Sequence, residues 1–207
     1  MYALVEDNAI TKTYNNPRGM TIGGVQYPQN IHSLWSESDL NAIGIYTVVY
    51  DDTNKKDGDW YINTNQTLTF AGGKVTATYG TATAKAIADT TWTSQDKTDG
   101  LIPEGKDVGD VKAEGLKTIK KQNINNQSAG LLAKYDWYII RNTEASTAIP
   151  SAITDYRTGV RTAANSMHTK IDNASDVDAL AALFTHTRTD GVVSRPLGEW
   201  PDDPNAE

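Results

Sequence analysis

"YDWYIIRNTEASTAIP", residues 135–150, sets Tyr135, Trp137 and Tyr138 around Asp136 and ends on Pro150. On a helix it places Trp137 and Ile140 on one side with Glu144, while Asp136, Tyr138 and Arg141 spread around the rest. Arg141 and Glu144 stand at i,i+3, where an ion pair contributes roughly a few tenths of a kcal/mol. Aromatic rings this close in sequence cannot all face one core. At least one has to lie against another element or another chain, and a buried Tyr or Trp also needs a partner for its polar tip. The stretch therefore asks for docking, and nothing in it asks for chemistry.

Outward on its C-terminal side, residues 151–173 place Ile153, Tyr156, Val160, Ala164, Met167 and Ile171 at steps of three and four. That spacing predicts an amphipathic helix of about six turns. Ser175 and Asp178 read as a capping box that opens a further helix, with Val177, Leu180, Leu183 and Phe184 facing one way. A turn at Asp190-Gly191 leads to a short strand and an acidic, proline-rich tail over 191–207. On the N-terminal side, 111–135 holds strong helix formers with a thin apolar stripe of Val111, Leu116, Ile119 and Ile124, interrupted by Gly115. A helix this polar is expected to pack as the arm of a hairpin or against another subunit.

Residues 1–80 read as a small antiparallel β unit. "MYALVEDNAITKTY" gives short alternating strands, and residues 15–30 carry turn chemistry. Ser36 and Asp39 form a capping box for one short helix, with Gly44 at its C-terminal stop and "IYTVVY", 45–50, as a strand. Residues 51–60 read as a hairpin loop, and two further strands flank Gly72-Gly73. The segment 81–110 reads as an irregular linker. The expected class is α+β: a small antiparallel β-rich subdomain over 1–80, the linker over 81–110, then a helical hairpin subdomain over 111–190.

Composition limits the function classes. The 207 residues carry a net charge of −7, which argues against a nucleic-acid footprint or an anionic membrane surface. Two Phe stand against ten Tyr and five Trp, an amphipathic aromatic set suited to interfaces. No cysteine is present, so disulfides, thiol nucleophiles and Cys-based metal sites are out, and synthesis in a reducing cytosol is expected. "MYALVEDNAI" lacks the basic start and apolar core of a signal peptide. Asn-x-Ser/Thr triplets at Asn65, Asn126 and Asn173 are then read as products of composition.

A search for chemistry finds little. The paired glycines lie in hairpin context, not in a phosphate loop, and neither GxSxG nor HExxH occurs. His32, His168 and His186 lack ligand spacing; His168 and His186 could meet across a helical hairpin, but solvated histidines are far commoner. Asp51-Asp52 and Asp202-Asp203 read as solvated pairs. Lys112, Lys117, Lys120 and Lys121 make one basic stripe, for which a solvated helix face is the commoner reading than an acidic partner. No catalytic residue, cofactor or metal is expected.

The block "LLAKYDWYIIRNTEASTAIPSAITDYRTGVRTAANS" resembles a segment at the C-terminal end of tail proteins encoded by tailed bacteriophages. The shared pattern is DWY-x-x-R-x-x-E, a loop to Pro, then a helix with Arg at four-residue spacing: here Asp136, Trp137, Tyr138, Arg141, Glu144, Pro150, Arg157 and Arg161. "WSESDLNAIGIYTVV" is similar to the front end of the same group, and together the two cover about half the chain, Lys112 to Ile171 being the more specific part. The resemblance implies a structural virion protein (tail adaptor, collar, baseplate or fibre-base component), homo-oligomeric, in contact with other phage tail proteins and made in the host cytoplasm. A tail-fibre assembly chaperone is the second reading and a tail-associated hydrolase the third. The interface candidates are Tyr135, Trp137, Tyr138, Arg141, Glu144, Arg157 and Arg161.

Overall fold

Alternation of apolar and polar side chains builds the first part of the molecule. The computed structural model describes residues 1–205 and divides the chain into two units, Met1–Thr83 and Ala84–Glu207. In the first, β1 (Tyr2–Glu6) and β2 (Ala9–Tyr14) form a hairpin whose turn residues Asp7 and Asn8 both adopt positive φ, as a tight right-twisted hairpin requires. A second hairpin, β3 (Met20–Ile22) and β4 (Val25–Tyr27), turns at Gly23-Gly24 within the segment read only as turn chemistry. Two short helices follow, α1 (Ile31–Leu34) and α2 (Glu37–Ala42).

The expected capping box closes α2: Asp39 N–H donates to Ser36 Oγ and the Ser36 N–H to the Asp39 carboxylate. Gly44 ends the turn at φ +84° and accepts from Val5 N–H at 2.8 Å. A Cβ there would stand 2.5 Å from the Val5 carbonyl oxygen, so the close approach demands glycine.

After α2 come β5 (Ile45–Asp51), β6 (Tyr61–Ile62), β7 (Gln66–Ala71) and β8 (Lys74–Tyr79). The five-stranded sheet has the order β2-β1-β5-β8-β7. Its outer strands β2 and β7 approach each other, so the sheet curls towards a half-barrel. Ala3, Val5, Val48, Val75 and Ala77 form one core on its inner face. Leu4 and Ile45 on the opposite face pack with Ile31 and Leu40 of the helices. One pairing departs from the antiparallel expectation: β5 and β8 run parallel. Residues 51–60 are accordingly the start of a crossover and not a hairpin loop, because a parallel partner can be reached only by a long connection. That connection holds β6 and β7.

The boundary between the units falls within β9 (Thr83–Ala84), and the second unit continues with β10 (Thr90–Thr91), α3 (Ser94–Thr98) and β11 (Val111–Ala113). Of the segment 81–110, expected as an irregular linker, residues 84–110 thus carry their own elements inside this unit. Thr93 and Asp96 make a capping box for α3, and Lys112 on β11 closes onto the Asp96 carboxylate at 2.6 Å. Val111, placed on a helix by its spacing, sits in β11, which pairs with β10.

The helices are α4 (Leu116–Ala133), α5 (Asp136–Ala145), α6 (Ser151–Asn173) and α7 (Val177–Phe184). α4 packs along α6. Near its start Lys121 pairs with Asp172, and near its end the Leu132 carbonyl meets Arg157, so the two run antiparallel as a helical hairpin. All six residues picked out by periodicity on α6 are buried. Their spacing fills one stripe, which is what an amphipathic helix buries. The cap of α7 falls one residue later than expected. Asp176 accepts from Ala179 N–H at 2.8 Å, while Ser175 Oγ donates to Asp176. A carboxylate already at N-cap leaves Ser175 outside the helix. A final hairpin, β12 (Thr187–Thr189) and β13 (Val192–Ser194), turns at Asp190-Gly191. Of the tail read over 191–207, the last two residues lie outside the described residues.

Gly115 marks the start of α4 instead of weakening its middle. The first amides of the helix bond the preceding segment: Gly115 to the Asp89 carboxylate, Leu116 to Ala86 O and Lys117 to Ile87 O. These contacts satisfy donors that no intrahelical carbonyl can reach. They bring the chain so near that a Cβ on Gly115 would lie 2.2 Å from the Ala88 carbonyl carbon. Gly115→Ala is expected to lower stability by about 3 kcal/mol or more, read by urea unfolding.

The Asp96 clip carries a pH signature. Its hydrogen bonds to Lys112 and then to Thr93 hold the carboxyl down to about 2, against 3.8 for the free group. A depressed folded value stabilises above the unfolded one, so the contribution is complete above about pH 4 and fades as pH falls towards 2. Asp96→Asn should flatten that acid limb in a melting series across pH 2–5; an unchanged limb would show that the clip is not linked to folding.

Candidate functional site

The junction between α4 and α5 is two residues long, Lys134 and Tyr135, and the backbone turns non-helical at Tyr135 (φ −118°, ψ 9°). A break so short leaves the last carbonyls of α4 without helical partners. Arg157, arriving from α6 and only 8% exposed, donates to the Leu132 carbonyl and to the Asp136 carboxylate, each at 2.8 Å. One guanidinium therefore joins the end of α4 to the start of α5. Tyr135 is buried beside it, edge-on to Tyr156, in a cluster with Ile153 and Val160.

The seven candidates separate by burial. Tyr135 and Arg157 are interior, and both hold the helices together. Tyr138 is half-buried against the same cluster. Trp137 is 49% exposed and Glu144 and Arg161 are exposed. The Arg141 guanidinium lies over the rings of Trp137 at 4.7 Å and Tyr138 at 5.0 Å. Among the described residues it makes no ion pair with Glu144: the guanidinium stacks on the aromatics, a geometry its planar shape favours. Among the described residues Arg161 reaches only back towards the Arg157 carbonyl, at 3.5 Å.

α5 buries no side chain completely although it holds Trp137, Ile139 and Ile140. Ile140 is 56% exposed. Trp137, Ile140, Arg141 and Glu144 follow one another at helical spacing, so they share an outward stripe. Ile139 instead borders a small recess of about 130 Å³ against Thr158 and Arg161 of α6.

Two features read as solvated also make contacts within the chain. The lysine stripe is used inside the unit: Lys112 binds Asp96, Lys117 donates to the Asp172 carbonyl, Lys121 pairs with Asp172, and Lys120 lies over the Phe184 ring. The tail is strapped down. Leu197 is fully buried, Lys170 donates to the carbonyls of Pro196 and Leu197, and Trp200 Nε1 donates to Gln127. Tyr135 donates to Asp203, which Lys134 also reaches at 3.3 Å. That bond holds the Asp203 carboxyl below its usual range and raises the Tyr135 hydroxyl above its own. Pro201 sits where a Cβ on Gly159 would approach to 3.3 Å. Gly159 inside an amphipathic helix, and Trp200 within an acidic tail, were the only signals of this strap in the sequence.

Asp51, Asp52 and the three histidines form no group with metal-ligand geometry; among the described residues no cluster of three or more His, Asp or Glu could hold a metal ion. Neither is any helix of the described residues long and apolar enough to cross a membrane. Comparison with family models, curated proteins and solved structures finds no match to the chain.

Interior and exterior members of the site should answer differently to truncation. Arg157→Ala removes two charge-assisted bonds at the helix junction, an expected cost of about 2–3 kcal/mol. Trp137→Ala should cost about 1 kcal/mol in the isolated chain, mainly the stacking with Arg141. Chemical denaturation of both variants checks the order; equal losses would mean that Trp137 is buried in solution by an interface.

Proposed function

We propose that the chain is a structural component of a tailed-phage particle, docking onto other tail proteins through the outer stripe of α5. The observation that carries this reading is a rigidly anchored helix with apolar side chains left outside. Arg157 and Tyr135 fix the angle of α5 from beneath, while Trp137 and Ile140 each remain about half exposed. A helix that keeps large apolar groups in water is stabilised by a partner. An exposed Trp with an arginine stacked on it is also the residue combination that dominates binding energy at protein interfaces. The phage setting rests on the resemblance of the DWY-x-x-R-x-x-E block and the Arg157/Arg161 spacing. In this reading Tyr135, Tyr138 and Arg157 shape the surface, and Trp137, Ile140, Arg141 and Glu144 meet the partner.

Mass spectrometry of gradient-purified particles should find the chain in several copies. Ile140→Asp should leave the melting temperature within about 2 °C, as substitutions at exposed positions do, and abolish incorporation into particles. Presence in infected-cell lysate with absence from particles would move the answer to an assembly chaperone. Normal incorporation of Ile140→Asp would remove the α5 stripe from the interface.

A further inference from the structure

A feature of the first unit has no part in that docking surface. Between β2 and β3 lies a cleft of about 320 Å³, bordered by Leu4, Lys12, Tyr14, Arg18, Met20 and Thr21. That volume is at the lower end for clefts that hold small organic ligands (roughly 300–1,000 Å³). Lys12, Arg18 and Thr21 put polar groups on its border beside the apolar Leu4 and Met20.

Lys12 reaches this cleft because of a β-bulge. Val5 pairs with Ile10, but Leu4 pairs with Lys12, leaving Thr11 as an extra residue. In an unbroken register Lys12 would stand opposite Ala3 and face the inner core of Val48 and Val75. The bulge sets it opposite Leu4 on the other face, and Tyr14 opposite Tyr2. Bulges re-aim side chains in this way beside functional sites. Thr11 locks the extra residue by donating to Glu6 at 2.7 Å, which also occupies the nearest carboxylate of β1.

Arg18 is steered to the same place, its guanidinium 5.5 Å from the centre of the Tyr14 ring. The Tyr14 hydroxyl is fixed in turn on the Met20 sulfur at 3.4 Å. Burial pushes that hydroxyl up to about 12, so it brings no negative charge to the cleft. Among the described residues no Asp or Glu borders the cleft. Neither cation forms an ion pair among the described residues, in a chain whose net charge is −7. With acidic residues in excess, two cations without a carboxylate that converge on one concave site are free for an external anion.

We propose that this cleft binds a small acidic sugar, a hexose-sized body bearing a carboxylate or phosphate that Lys12 and Arg18 receive. The size exceeds what a bare oxyanion fills, and the polar lining with the Thr21 hydroxyl suits a hydroxylated body better than an acyl chain. Titrating the full chain with glucuronate, glucose 6-phosphate, glucose and inorganic phosphate, followed by amide NMR shifts, tests it. The two acidic sugars should shift Lys12, Arg18 and Thr21 saturably, bind more weakly as salt rises, and bind about tenfold more weakly to Lys12→Ala/Arg18→Ala. Both residues are exposed, so the double variant should melt as the parent does, and Lys74→Ala, on β8, should bind normally. Glucose binding as tightly as glucuronate, phosphate as tightly as the sugar phosphate, unchanged affinity in the double variant, or no saturable shift at millimolar ligand would each overturn the proposal.

Discussion

The Arg157 guanidinium, enclosed by three helices, donates at once to a carbonyl at the end of α4 and a carboxylate at the start of α5. A charge taken this far from water has to meet acceptors or the helices around it cannot close. Those two acceptors lie on either side of a two-residue break, Lys134 and Tyr135, and satisfying both sets the angle between α4 and α5. Tyr135 fills the corner, and its hydroxyl in turn receives the tail through Asp203. α5 is therefore oriented by polar pins at its first turn and not by burying its own apolar groups. Trp137 and Ile140 are left outside as a result of how the helix is held.

The helical half was legible wherever one stripe meets one core. On α6, Ile153 to Ile171 recur at three and four residues, and the same stripe is buried. The Ser36–Asp39 box and the stop at Gly44 were legible for the same reason, being contacts made within a few residues. What stayed hidden depends on distant partners. Lys121 reads as solvated until Asp172, 51 residues away, lies opposite it. Asp203 reads as part of a free tail until the hydroxyl of Tyr135, 68 residues back, donates to it. The parallel pairing of β5 and β8 is likewise invisible locally, since the strands themselves are the ones expected and only their order differs. Of the candidate site, the residue types were legible; which side of the wall each stands on was not. Tyr135 and Arg157 went inside, whereas Trp137, the most apolar of the group, did not.

The bulge at Thr11 makes strand β2 sensitive to length in an uneven way. Thr11 is the residue without an opposite number, so removing it would restore a plain hairpin with Ile10 still facing Val5 and Lys12 still facing Leu4. Removing Thr13 would bring Tyr14 opposite Ala3 and turn a phenol into a core of valines and alanines, since one step along a strand exchanges its two faces. The same edit made two residues apart is thus silent for the sidedness of the sheet at one position and inverts it at the other.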